Sequence, residues 1–462
     1  MQELANAAIE ALNNLFDPFN SARSRASRDA GASPAVGSRI HEVQKYIIAC
    51  VIPFVDSPIS GVGCFHPAEN EVYDSVGGGV AVSIEASLLS LPERGEGFPA
   101  AEFLSPELAA FARADAAAFE DELVAALAAA GTRSCHRAAP EEYVATLRRL
   151  AQAAMVEWSA EKSDRPLGLF GVWKVVGEIL RLIVDARPAN ASFRTPKYVN
   201  TGGDSLARMQ VLPGHVLEAA KADLADFFHA CEAVESLRLF FGLRPVPASA
   251  LRAAGVEVPD SAVDERGYTH TRLTTLPMGF GPSPGIAQGA HEAVLYGKAG
   301  EGSQLAQQLE PVLDPAPRWS SEQVPALDTP ESLAPHALVV DDVLLFRQRP
   351  AGASPCPRGG CRPHRAADAD AEMAAAGVGL DSLLERYAAV GLRTKPSKVH
   401  DYAPAQDLLG YRLDRNVLRS SASRYAVLRD AVASLHRRSW ARLREVEGLV
   451  GSFTHAFLLH CM

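Results

Sequence analysis

The run His336 to Phe346, H-A-L-V-V-D-D-V-L-L-F, sets two adjacent carboxylates, Asp341 and Asp342, inside an otherwise apolar stretch. Val339, Val340, Val343, Leu344 and Leu345 are β-branched or aliphatic, and they predict a buried strand or a tight hairpin. Carboxylates left unpaired in such a setting cost roughly several kcal/mol unless cations or hydrogen bonds compensate them. A divalent metal ion would do so, and hard oxygen ligands of this kind suit magnesium. A hairpin turn that points the pair into water satisfies the same residues. The run alone does not choose between the two.

The chain has 462 residues, room for two or three domains or for one large core with extensions. Hydrophobic residues make up 47% and charged residues 22%, the balance of a globular protein. No stretch approaches the ~20 uninterrupted apolar residues of a membrane helix. Tyr46 to Val55 comes nearest, but Pro53 breaks it and core is expected there. The N-terminus has neither a basic start nor a long apolar run, so an intracellular protein without a secretory signal is expected. Seven scattered cysteines fit reduced thiols. Cys356, Cys361 and His364 are spaced loosely like a zinc knuckle but lack a fourth nearby ligand. The net charge of -10 argues against a nucleic-acid binder only when taken as one number, because arginines crowd positions 412 to 444.

Periodicity divides the chain into three parts. Residues 1–139 are Ala-rich and broken by glycines at Gly31 to Gly37 and Gly77 to Gly79, which predicts a mostly helical extension, disordered over the first ~40 residues. A helix is expected over Leu108 to Ala130 and a second over Pro140 to Trp158. From Gly168 the pattern becomes strand, turn, strand, with the turn at Gly177-Glu178. Further strands are expected at Ala222 to Phe228 and Asp407 to Asp414, and helices after Leu276 and over Ala371 to Val390. Gly242 to Arg266 has loop character, as does the low-complexity stretch between Gln348 and Asp370.

Taken in order from about Gly168 to Asp414, these pieces resemble the reverse transcriptases of retroelements. Lys174 and then Arg181, Asp185, Arg187 and Asn190 match the fingers hairpin; Asp223-Leu-Ala-Asp226-Phe227-Phe228 matches the first palm block. L-P-M-G-F-x-x-S-P-x-I-x-Q, through Met278, Gly279, Phe280, Ser283, Pro284 and Gln288, matches the block that lies against template and nucleotide. Asp341-Asp342 match the paired aspartates, with Val339 where an aromatic is usual. G-L-R-T-K-P-S-K and L-L-G-Y-R-L match the last two blocks.

The resemblance implies an α+β, right-hand polymerase fold: fingers and a ferredoxin-like palm over residues 140–415, and a partial, basic helical thumb over 416–462. It implies an RNA-directed DNA polymerase acting on an RNA or DNA template with primer and deoxynucleoside triphosphates. Asp223, Asp341 and Asp342 would be catalytic and would hold two magnesium ions, or manganese in their place. Lys174 and Arg181 would bind the triphosphate, with Met278 and Gly279 lying against it and Gly279 letting the backbone approach a base. Phe228 would exclude a ribose 2′-hydroxyl. Lys398, or Lys395, would assist the leaving pyrophosphate, and Leu409, Gly410 and Tyr411 would grip the primer. Fewer than fifty residues follow Asp414, so no ribonuclease H domain is expected within this sequence. A degenerate relative that binds nucleic acid without polymerising is the competing reading. An RNA-directed RNA polymerase is the third, disfavoured by the close spacing of Asp223 and Asp226 and the ring that follows them.

Overall fold

The computed structural model describes residues 81–92, 97–121, 125, 134–194, 196, 211–297, 309–315, 335–352, 379–409 and 411–420. Within them the carboxylate-bearing run does form a hairpin, β7 (His336–Val339) and β8 (Asp342–Pro350), with Val340 and Asp341 as its turn. β8 lies against β4 (His215–Asp223) in an unbroken antiparallel register from His215↔Pro350 to Asp223↔Asp342. β9 (His400–Ala403) closes the sheet, whose order is β7-β8-β4-β9 with every pair antiparallel. Helix α3 (Ser283–Tyr296) precedes β7 and helix α4 (Leu380–Ala389) precedes β9. The connectivity is therefore β-α-β-β-α-β around a single four-stranded sheet.

Side chains alternate across the sheet, and the alternation divides the core. Ala220 and Ala222 of β4, Leu338 of β7 and Val343 and Leu345 of β8 join a large core with Ile286, Ala290 and Val294 of α3 and Leu383 and Tyr387 of α4. Alanine on β4 leaves room for the helices to sit close to the strands. The other face, Leu217, Ala219, Ala337, Leu344 and Phe346, packs against Leu408, Tyr411 and Leu413. Those three belong to a second antiparallel sheet of β10 (Ala405–Leu408), β11 (Tyr411–Asp414) and β12 (Val417–Ser420). Asp223 and Asp342 sit at the end of this second face.

The large core extends beyond the sheet. Short helical turns at Ala86–Leu88 and Ala100–Glu102 are followed by Leu89 and by Phe103 and Leu104, which join this core together with Ala109 and Phe111 of helix α1 (Pro106–Ala112). Helix α2 (Pro140–Gln152) buries Leu147 and Leu150 in it. The hairpin of β2 (Gly168–Val175) and β3 (Ile179–Asp185) buries Leu169, Leu182 and Val184 toward its base and Leu180 nearer the turn, while Val176 at its tip is 79% exposed. Gly177 turns the hairpin at φ 75, as its position predicts.

Several elements end earlier than expected. The helix expected over Leu108 to Ala130 stops at Ala112; Ala114 takes φ 51, and Phe119 turns in against Phe193 and Phe240, its ring tilted to both. The helix expected to reach Trp158 stops at Gln152, with Ala154 at φ 55, and β1 (Val156–Ser159) pairs with β6 (Tyr268–Leu273). The strand expected over Ala222 to Phe228 starts at His215 and ends at Asp223; Asp226, at φ 48, opens a helical turn, Phe227–Ala230. Asp407 to Asp414 is the turn and flanks of a hairpin rather than one strand, because Leu409 takes φ 48. Gly242 to Arg266 contains the short strand β5 (Val246–Pro247) and a helical turn, Ala248–Ala253. Residues 1–80, the Cys356, Cys361 and His364 set, residues 371–378 and the basic arm beyond Ser420 lie outside the described residues.

Leu345 is fully buried between sheet and helices, so Leu345→Ala should lower stability by about 2–5 kcal/mol. Val176→Thr should stay within about 0.5 kcal/mol of the parent. Urea denaturation of both variants measures the contrast.

Candidate active site

The β7–β8 turn depends on Val340, a β-branched residue held at φ 54. That left-handed conformation costs an L-residue roughly 1–2 kcal/mol, so surrounding groups must fix it. Helix α3 supplies them. Gln288 Oε1 accepts from the Val340 N–H at 2.6 Å, and its Nε2 donates to Leu338 O at 3.3 Å and to Glu292 at 2.7 Å. One helical turn on, His291 Nδ1 donates to Val340 O at 2.8 Å. A carbonyl can only accept, so Nδ1 carries the proton, and in the neutral ring Nε2 accepts from the Tyr387 hydroxyl of α4 at 2.7 Å. His291 is wholly buried.

The turn brings three carboxylates to one place. Asp223 ends β4 directly across from Asp342, and the Leu224 N–H donates to the backbone oxygen of Asp341 at 2.8 Å. Burial and the neighbouring Asp223 charge raise the Asp341 pKa above the usual carboxylate range. Burial, then Asp341, then Asp223 push Asp342 up to about 6. Asp223 is the most deeply buried, at 3% exposure, and cations hold both of its oxygens. Lys395 Nζ lies 2.9 Å from Oδ1 and Lys398 Nζ 2.5 Å from Oδ2. Burial opposes the Lys398 charge, but its hydrogen bond to Asp223 and the three carboxylates outweigh that and raise its pKa.

In kind, these oxygen donors suit a divalent cation, and the pKa values of Asp341 and Asp342, raised first by burial and then by the neighbouring carboxylates, mark charges that a cation would favour. The arrangement differs from a ready metal cage. Among the described residues no group of three or more His, Cys, Asp or Glu side chains is set to hold a metal ion, and ammonium groups occupy Asp223. Lys395, named beside Lys398 from the sequence, is an equal partner in this contact.

The other residues singled out from the sequence fall in three places. Lys174 and Arg181 are exposed on the β2–β3 hairpin, which pairs with no strand of the carboxylate sheet. At the hairpin base Asp185 is ion-paired with Arg187 at 2.5 Å and accepts from the Cys135 N–H at 2.5 Å. Met278 and Gly279 form a loop docked onto that base: Val184 N–H donates to Met278 O at 2.9 Å, and Asn190 bonds Gly279 O at 3.0 Å and the Gly281 N–H at 2.8 Å. Gly279 has φ 126, and a Cβ there would stand 2.0 Å from Val184 O. The glycine is thus required by the docking itself, whereas close approach to a base was expected from the sequence. Of the two rings after Asp226, Phe227 is in the core and Phe228 is half-buried beside it. Leu409 turns the β10–β11 hairpin, Gly410 lies outside the described residues, and Tyr411 is buried between the two sheets. His291 and Tyr387 escaped the sequence reading. The spacing of Gln288 and His291, three apart on one helical face, was the available signal.

No protein-family model and no curated protein matches the chain. Among solved structures, a foamy viral protease-reverse transcriptase in complex with dsDNA is similar at 12% identity and a TM-score of 0.41, covering 89% of this chain and 62% of that one. Its dRH form with ds DNA gives 10% and 0.38, covering 89% and 60%. The complex with an RNA/DNA hybrid gives 10% and 0.39, covering 89% and 40%. The chain therefore spans less than two thirds of the length of each. Among the described residues no helix is long and apolar enough to cross a membrane.

Two outcomes test this geometry. Because the folded-state pKa of Asp342 is raised, the native protein binds more protons than the unfolded chain, and the stability cost appears as pH rises from about 4 to about 6. In EDTA, Asp342→Asn should therefore melt higher than the parent above pH 6, by on the order of 1 kcal/mol after solvent screening, and match it near pH 4. Gly279→Ala should lose about 2 kcal/mol or more, read as a lower thermal midpoint.

Proposed function

We propose that the chain is a template-directed nucleotidyltransferase of the reverse transcriptase type, adding deoxynucleotides to a primer 3′-hydroxyl. One observation carries the reading: Asp223 and Asp342 face each other across β4 and β8, with Asp341 in the adjoining turn. Such a reaction needs carboxylates from neighbouring strands at one point. Two magnesium ions, or manganese, held there would activate the hydroxyl and stabilise the leaving pyrophosphate.

The chain's own groups have these roles in the proposal. Asp223, Asp341 and Asp342 hold the cations. Lys398, with Lys395 beside it, keeps a proton available for the departing phosphate oxygen. Lys174 and Arg181, exposed on their hairpin, bind the triphosphate as fixed positive charges against the negative charge that develops in transfer. Phe228 borders the sugar and selects against a 2′-hydroxyl. The Met278–Gly279 loop lies under the nucleotide, and the Leu409 to Tyr411 turn supports the primer end. Residues 140–415 carry fingers and palm, 416–462 begin a thumb, opening on strand β12 rather than on a helix, and 1–139 precede both.

A second reading is a relative that binds primer and template without extending them. The ammonium groups on both oxygens of Asp223 favour it. Primer extension on an RNA template with deoxynucleotides and magnesium distinguishes the two. The expected result is incorporation that falls at least about a thousandfold in Asp341→Asn. Tight binding of the hybrid with no extension by the intact chain would establish the second reading instead.

A further inference from the structure

Asp223 is the deepest of the three carboxylates and the only one of them with an ion pair among the described residues. Both of its lysines come from one short piece of chain, Thr394-Lys395-Pro396-Ser397-Lys398. The piece is fastened to the strand end by backbone. Ala225 N–H donates to Arg393 O at 2.7 Å, Leu224 and Thr394 form a β-bridge, and Lys395 N–H donates to Asp223 O at 3.0 Å. Pro396–Lys398 is a 3-10 turn, closed by Lys398 N–H to Lys395 O at 2.8 Å. Three residues per turn bring positions 395 and 398 to the same side, so the spacing delivers two ammonium groups to one carboxylate. A cation shared among the three carboxylates must take an Asp223 oxygen that an ammonium now holds. Lys398, with its side chain 53% exposed, has water to leave into, whereas Lys395 is 27% exposed and also reaches Leu224 O at 3.5 Å.

We propose that Lys395 and Lys398 are a built-in counter-cation for Asp223, and that a divalent cation enters this site by exchange, releasing Lys398 first. The proposal rests on the reading of Asp223, Asp341 and Asp342 as a cation site. No covalent step is involved; one ion pair replaces another. Two consequences follow. The strand ends stay assembled without metal, because the lysines already neutralise the buried carboxylate. A polyphosphate, by giving the released ammonium a new anionic partner, tightens cation binding.

Mn2+ binding to the full chain, measured by electron paramagnetic resonance without nucleotide, tests the exchange. Lys398→Met and Lys395→Met should each bind Mn2+ about fivefold more tightly than the parent, and Lys398→Arg should not. Inorganic triphosphate should tighten binding to the parent more than to Lys398→Met. The rise in melting temperature on adding Mn2+ should be larger in the Met variants, which reads the same linkage in folded protein and shows that they fold. Unchanged or weaker Mn2+ binding in both Met variants overturns the exchange, even where Asp223→Asn and Asp341→Asn abolish binding and so leave the cation site standing. Mn2+ binding indifferent to both Asn changes, or absent from every variant, overturns the cation site and the exchange together.

Discussion

The left-handed Val340 is the constraint on which the candidate site depends. A β-branched residue does not hold that conformation unaided, and here the main-chain groups around it are met by side chains from a helix remote in sequence. Gln288 and His291 are buried polar groups between helix and sheet, where an unmet hydrogen bond costs about 1–3 kcal/mol. Sliding α3 along β7 by one residue would strand both side chains. A second buried pair, Tyr296 with His336 at 2.8 Å, ties the far end of the same helix to the start of the same strand. The helix is thereby registered at two points, and the direction of Asp341 follows from it.

Much of this was legible in the sequence. The Asp341-Asp342 pair, the β2–β3 hairpin with its glycine turn and the Pro-bearing start of α3 all stand where pattern and turn chemistry put them. Most of the early ends share a cause. Ala114, Ala154, Asp226 and Leu409 reverse or redirect the chain at positive φ, although none is glycine. Alanine and leucine carry no turn signal, so periodicity ran the helices and a strand past them. What fixes these residues is tertiary: Phe119 turning to Phe193, β1 pairing with β6, and Leu224 and Ala225 bonding to Asp341 and Arg393. Gly279 is the opposite case. The sequence marks the position, but the carbonyl that forbids a side chain belongs to Val184, nearly a hundred residues away.

A comparison within β4 bears on why lysine, and not arginine, faces Asp223. Five residues earlier on the same strand, Glu218 is buried as deeply, at 4% exposure, and is also held by two cations, Arg347 Nε at 3.0 Å and Arg349 Nε at 2.8 Å. These arginines are themselves sheltered, at 29% and 14% side-chain exposure, and the Arg347 guanidinium lies 4.2 Å from the centre of the Tyr402 ring. A planar guanidinium stacked on a ring and bonded to a carboxylate loses several contacts at once if it leaves. That clamp is suited to permanence. An ammonium is a hydrated point charge on a flexible stem, and water readily replaces its partner. At the strand end, where Lys398 is half-exposed, the chain therefore places a cation that can depart; toward the middle of the strand it places cations that cannot without breaking the sheet's packing. One strand thus carries two buried carboxylates whose neutralisation is of two kinds, and the difference in the cations separates a structural ion cluster from the one proposed to open for a divalent cation.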